Sequence, residues 1–127
     1  MYRILSVEDD PIMQTMLKDV FVSAGYEFRL SPDGRNAVPA ALAEKPDLIL
    51  LDVNLPDITG IEVCRALKAE PKTRHIPVLM LTGEAHEVVT RVEGLDVGAE
   101  DYMFKPISPR VLIARVNSII KQAAKSN

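Results

Sequence analysis

Seven polar residues stand just past short apolar runs, and their types suit chemistry on a phosphoryl group. Glu8, Asp9 and Asp10 follow Ile4–Val7, Asp52 and Asn54 follow Leu48–Leu51, Thr82 follows Pro77–Leu81, and Lys105 follows Asp101–Phe104. Carboxylates gathered within a few ångströms repel one another, and each is hard to ionise without a cation. A hard divalent ion such as Mg²⁺, held by carboxylates, a carbonyl and water, is the natural remedy. Asp52 can then serve as a nucleophile toward phosphorus and form an aspartyl phosphate. With a metal offsetting charge on the phosphoryl oxygens, little is needed beyond positioning. Lys105 adds a second cation and Thr82 a hydroxyl donor. Each residue alone also has a plain structural role: a turn start for Asp52, a surface lysine, a strand-end cap for Thr82. Asp10, next to Pro11, suits a helix cap, whereas Glu8 and Asp9 do not. The convergence of all of them on one edge carries the argument.

That convergence requires parallel strands. Leu48–Leu51 is an unbroken apolar run between Pro46-Asp47 and a Pro-containing loop, as expected of a strand covered on both faces. Ile4–Val7 and Pro77–Leu81 read the same way, Glu27–Leu30 is a weaker strand, and Asp101–Phe104 is the last. Between them lie helical patterns. Asp10-Pro11 starts the first, with Met13, Met16, Leu17, Val20, Phe21 and Ala24 as its stripe and Gly25 as its stop. The turn Ser31–Gly34 leads to a second helix ending near Glu44, with Ala37, Val38, Ala41 and Leu42 inward. Pro39 would kink that helix unless it lies in the first turn. Thr59-Gly60 leads into a helix carrying Ile61, Cys64 and Leu67. Val88, Val89, Val92 and Leu95 mark a fourth. Ser108-Pro109 starts a fifth, with Leu112, Val116, Ile119, Ile120 and Ala123 inward. Strand and helix alternate five times, which predicts an α/β fold, doubly wound around a five-stranded parallel sheet with five helices. In such sheets ligands bind at the carboxyl ends of the strands.

The 127 residues suffice for a single domain, taken as 1–127, with a polar tail expected to fray from about residue 124. The net charge of −3 argues against direct nucleic-acid binding as the main business of the chain. One cysteine, Cys64, excludes an intrachain disulfide and fits a reducing compartment. With no signal-peptide layout and no membrane-spanning run, the expected location is cytoplasmic, with no membrane contact.

The acids after the first strand, Asp52-x-Asn54-x-Pro56 after the third, Thr82-Gly83 and Lys105-Pro106 together resemble the receiver domain of two-component response regulators, of the chemotaxis-regulator type. The resemblance runs from about Arg3 to Ala123. It implies a flavodoxin-like fold of strand order 2-1-3-4-5. It implies Asp52 as the phosphoacceptor, and Glu8, Asp9, Asp52 and the Asn54 backbone carbonyl as ligands of Mg²⁺, with Mn²⁺ able to substitute. Thr82 and Lys105 match the phosphate-sensing hydroxyl and amine, and Tyr102 matches the aromatic switch. Lys105-Pro106 matches a bond that is usually cis in the family, which a following proline permits. Asn54 and Glu84 fall where the family tunes the lifetime of the phosphorylated state. The implied partners are a histidine kinase or phosphotransfer protein, and a downstream protein or fused output domain. Such a protein is a signalling module, an enzyme only toward its own phosphorylation and dephosphorylation.

Some positions depart from the commonest pattern. Glu8 replaces the more frequent Asp, Gly83 stands where Ala is common, and Thr59-Gly60 stands where Asp-Gly is frequent. Ser108–Val116 resembles the last helix of receivers fused to winged-helix DNA-binding domains. The family commonly uses the fourth helix, last strand and fifth helix to dimerise or to dock a partner, so the resemblance implies a phosphorylation-dependent homodimer through that face as one use of it, with a plain solvated face as the default reading of its charges. Asp101 and Arg115 are candidates for one intersubunit pair and Arg91 for another, but Val111 stands where those proteins usually carry an acid. A degenerate receiver that works by protein binding without phosphorylation is the alternative, although every reactive position is filled. A haloacid-dehalogenase phosphatase would want its nucleophile after the first strand and an Asp two residues on, where this chain has Asn54. A flavodoxin would want a Ser/Thr/Gly-rich loop where this chain has Glu8-Asp9-Asp10. A P-loop NTPase is excluded by the absence of its glycine-lysine run.

Overall fold

The computed structural model describes residues 1–83 and 96–125. In chain order they form β1 (Arg3–Val7), α1 (Pro11–Ser23), β2 (Glu27–Ser31), α2 (Ala37–Glu44), β3 (Leu48–Asp52), α3 (Gly60–Ala69), β4 (Val78–Thr82), β5 (Asp101–Phe104) and α4 (Pro109–Lys125). The helix predicted around Val88–Leu95 lies outside the described residues. All strand pairs are parallel, and the sheet order is β2-β1-β3-β4-β5. This is the predicted doubly wound, flavodoxin-like arrangement. Among the described residues no helix is long and apolar enough to cross a membrane.

The unbroken apolar strands follow from cover on both faces. Along β3, Ile49 and Leu51 join Ala37, Ala41, Ile61, Cys64 and Leu67 on the α2–α3 side. Leu48 and Leu50 join Leu17, Phe21, Leu112, Val116 and Ile120 on the α1–α4 side. Strand β4 divides likewise, Met80 to the first layer and Leu79 and Leu81 to the second. Because Asp52 ends the central strand, it sits where both layers close over it.

Local signals set the helix starts. The Asp10 carboxylate accepts from Ile12 N at 3.3 Å and Met13 N at 3.4 Å, with Pro11 as the first helical residue. Gly25, at φ 90°, lets the chain leave α1 in a conformation that other residues resist. Pro39 is harmless because α2 starts at Ala37, so its missing N–H falls in the first turn, where no intrahelical bond is due.

One expectation fails. Leu42, read as inward, is 36 % exposed, because in this eight-residue helix only Ala37 and Ala41, four apart, point fully at the sheet. The last helix runs through Lys125, anchored by Leu112, Val116 and Ile120, and the rest of the polar tail expected to fray from about 124, Ser126 and Asn127, lies outside the described residues.

Candidate functional site

At the carboxyl edge the chain holds each polar residue by backbone bonds. Glu8 directly follows β1. Its N–H donates to Ser31 O at 3.1 Å, and its carbonyl accepts from Gln14 Nε2 at 2.7 Å. Its side chain turns inward, 1 % exposed, with Oε2 accepting from Asp10 N at 3.2 Å. Asp9 is exposed at the rim. Asp52 is 3 % exposed, and its Oδ1 accepts from Asn54 N at 3.0 Å, which folds the turn after β3 back on the carboxylate. Thr82 is buried at the end of β4, its hydroxyl donating to Gly83 O at 3.2 Å. Lys105 N donates to Thr82 O at 2.8 Å, and the Lys105–Pro106 bond is cis.

These bonds bring four side chains together. Lys105 Nζ lies 3.2 Å from Asp52 Oδ2 and 3.6 Å from Glu8 Oε1. One carboxylate oxygen each from Glu8, Asp9 and Asp52 lies within 4.8 Å of the others. The Lys105 ammonium therefore meets two buried acids, and the exposed Asp9 adds a third carboxylate beside them. Burial first, and the Asp52 charge second, push the Glu8 carboxyl up to about 7, against the opposing pull of Asp10 N–H and Lys105. Among the described residues, buried Glu8 Oε1 has no hydrogen-bond partner. The Lys105 ammonium 3.6 Å away offsets its charge without hydrogen-bonding it, and a buried oxygen lacking a hydrogen bond costs free energy. An all-oxygen set with an orphaned oxygen and excess negative charge fits a hard divalent cation such as Mg²⁺.

Other predicted residues lie around this cluster. Asn54 is exposed on the turn beyond Asp52. Tyr102 is half-buried on β5, opposite Met80, with its ring edge-on to Phe104 at 5.3 Å between centroids. Asp101 and Arg115, expected to pair across a dimer, pair with each other inside one chain at 2.6 Å. Glu84 and Arg91 lie outside the described residues.

Two features with consequences for the site escaped the sequence reading, the first being how closely Gly60, named there only as a helix start, approaches the acceptor strand. A Cβ on Gly60 would stand 2.4 Å from Asp52 O and 2.7 Å from Val53 Cα, so α3 begins against the backbone of the acceptor strand. Gly60 N donates to Val53 O at 2.8 Å. The second is Asp57, whose carboxylate reaches Gly34 N at 2.9 Å and Arg35 N at 2.8 Å. A Gly opening a helix was the available signal for the first; nothing local marks the second.

The family model described as the response regulator receiver domain matches residues 4–117. The chain belongs to the receiver-domain family of two-component response regulators. The receiver is 43 % identical over 121 residues to the alkaline phosphatase synthesis transcriptional regulatory protein PhoP of Bacillus subtilis, covering 95 % of this chain and 49 % of that one. It is 40 % identical over 119 residues to the phosphate regulon transcriptional regulatory protein PhoB of Pseudomonas aeruginosa, covering 94 % and 52 %. It thus spans about half the length of the curated relatives it matches. Relatives named as DNA-binding regulators lend no support to the expectation of no direct nucleic-acid binding. Among solved structures, a CheY-like receiver domain protein of Methanospirillum hungatei superposes with a TM-score of 0.93 at 27 % identity, covering 100 % of this chain and 99 % of that one.

Proposed function

We propose that this receiver accepts a phosphoryl group on Asp52 from a phosphohistidine of a partner histidine kinase or phosphotransfer protein. The observation that carries this reading is the position of Lys105 Nζ, 3.2 Å from Asp52 Oδ2 in a nest of three carboxylates. That combination suits a nucleophilic carboxylate whose product is a dianion needing two cations. An Asp52 oxygen forms the new O–P bond as the P–N bond of the phosphohistidine breaks, and the leaving imidazole takes a proton from water. Glu8, Asp9, Asp52 and the Asn54 carbonyl would hold Mg²⁺, which supplies positive charge to the phosphoryl oxygens.

Lys105 would exchange its contact with the acids for one with a phosphoryl oxygen. The Thr82 hydroxyl would leave the Gly83 carbonyl and donate to another. Because Lys105 N is bonded to Thr82 O, the two sensors share a backbone frame at the ends of β4 and β5. Tyr102, two residues back along β5 from Phe104, which pairs with Thr82, is placed to follow that change inward. The signal would then pass to the face made by the helix expected around Val88–Leu95, β5 and α4, and from there to a downstream protein, to an output domain in the half of the relatives this chain does not span, or to a homodimer using Arg91, Asp101 and Arg115. Asn54 and Glu84 would set how long the phosphoryl group survives.

Intact mass after incubation with acetyl phosphate tests the reading. One added phosphoryl group is expected with Mg²⁺, none in EDTA, and none in Asp52→Asn with either. Normal labelling of Asp52→Asn overturns the assignment. No labelling of the parent chain under any condition favours a degenerate receiver that acts by binding alone.

A further inference from the structure

We infer that Asp57 is a positioning residue that clasps the β3–α3 loop, and with it the Asn54 carbonyl, to the β2–α2 turn. The inference rests on the metal reading above. Asp57 spends both carboxylate oxygens on a turn more than twenty residues away: Oδ1 accepts from Gly34 N at 2.9 Å and Oδ2 from Arg35 N at 2.8 Å. The Arg35 guanidinium is a looser, exposed partner at 3.9 Å. The Gly34 N–H above all holds the Asp57 carboxyl below its usual range.

The β2–α2 turn does not need Asp57 in order to close. Asp33 already does that, its Oδ1 accepting from Asn36 N at 2.9 Å. The two Asp57 bonds therefore join loops. The contact surface between those loops is tight as well: a Cβ on Gly34 would lie 2.7 Å from Ile58 Cγ1 and 2.9 Å from Val63 Cγ2.

The join matters because of what each loop carries. Strands β2 and β3 flank β1, so the clasp spans the end of β1 across about two strand spacings, roughly 10 Å. On one side the turn is tied to the β1 end, since Ser31 O accepts from Glu8 N at 3.1 Å. On the other it is tied to Asp57, three residues past Asn54. The proposed metal ligands Glu8 and Asn54 thus sit on two loops splinted by a third that supplies no ligand. Groups bonded directly to metal ligands fix ligand placement and cost about 10–100-fold in affinity when lost, and the Asp57 clasp acts one step further out, through the loop that carries Asn54.

The test is a calorimetric titration with MgCl₂ of the parent chain, Asp57→Ala and Asp57→Asn, beside the Mg²⁺ dependence of acetyl phosphate labelling. Asp57→Ala should weaken Mg²⁺ binding by about tenfold. It should shift the labelling curve to higher Mg²⁺ by the same factor and leave the plateau at saturating Mg²⁺ unchanged. Asp57→Asn keeps the shape and one accepting oxygen and should lose less than Asp57→Ala but measurably more than nothing, which also serves if Asp57→Ala does not fold. Parent-like affinity in a folded Asp57→Ala, or in Asp57→Asn when Asp57→Ala does not fold, overturns the clasp while leaving the phosphoacceptor reading intact. A fall in plateau without a shift also overturns it. No Mg²⁺ binding by the parent chain overturns both.

Discussion

Replacing Gly60 by Ala sets two effects against each other, and the structure decides which wins. Away from any contact, Gly→Ala near a helix start stabilises by about 0.4–1 kcal/mol, because the unfolded chain loses freedom. Here the added Cβ would stand 2.4 Å from Asp52 O and 2.7 Å from Val53 Cα, both of them backbone atoms of the acceptor strand and its turn. Neither can rotate away, so α3 must retreat by close to an ångström. Overpacking of this kind costs about 1–3 kcal/mol. The retreat also stretches the 2.8 Å bond from Gly60 N to Val53 O, worth about 1 kcal/mol. The net expectation is a loss of about 2 kcal/mol, or roughly 7 °C in Tm at this chain length. Urea unfolding followed by circular dichroism measures it. Gly83→Ala is the control, since its Cβ would meet Asn54 Nδ2 at an ordinary 3.8 Å. It should change stability by less than about 0.5 kcal/mol. If Gly60→Ala is as stable as the parent or more so, the close approach of α3 to the acceptor strand is not a constraint on the fold, and the reasoning fails.

Two further outcomes follow from the charges at the site. In EDTA the folded chain holds the Glu8 proton up to about pH 7, whereas the unfolded chain releases it near 4.5. Its contribution to stability is therefore full below about 4.5 and is lost as pH rises through about 7, by up to about 3 kcal/mol. Glu8→Gln should gain stability relative to the parent over that window; parallel urea midpoints from pH 5 to 8 would refute it. Lys105→Ala should still take label on Asp52 but show none of the amide shift changes that labelling produces along β5 in the parent. Identical changes in the two proteins would remove Lys105 from the coupling.

What the sequence made legible was what neighbours along the chain decide. Asp10-Pro11 announces α1 because cap and first turn are adjacent. Leu48–Leu51 announces a doubly covered strand because alternate residues, Ile49 and Leu51 against Leu48 and Leu50, are all apolar. Order along the chain also placed Glu8, Asp52, Thr82 and Lys105 at one edge, since every parallel strand ends there. The illegible features depend on distant partners. Leu42 fits a helical stripe and is exposed because α2 is short. Asp57 looks like an ordinary loop acid until Gly34 and Arg35 arrive from the previous turn. Thr73 follows Pro71 in what reads as plain loop, yet it is buried and donates to Leu67 O at 2.7 Å, closing the end of α3. The depth of Glu8 is equally hidden, because three acids in a row look like a solvated loop.

The sheet order leaves β2 and β5 as edges. An open edge offers a row of amides and carbonyls to any passing strand and invites aggregation. Both edges here are guarded by charge. On β2, Glu27 pairs with Arg3 and Arg29 with Glu44, each at 2.9 Å. Strand β5 is four residues long and opens on Asp101, held by Arg115. A strand added to either side would have to accommodate or break those ion pairs. Any contact between copies that left these pairs in place would be made by side chains rather than by merged sheets, and could form and dissolve without unravelling the fold.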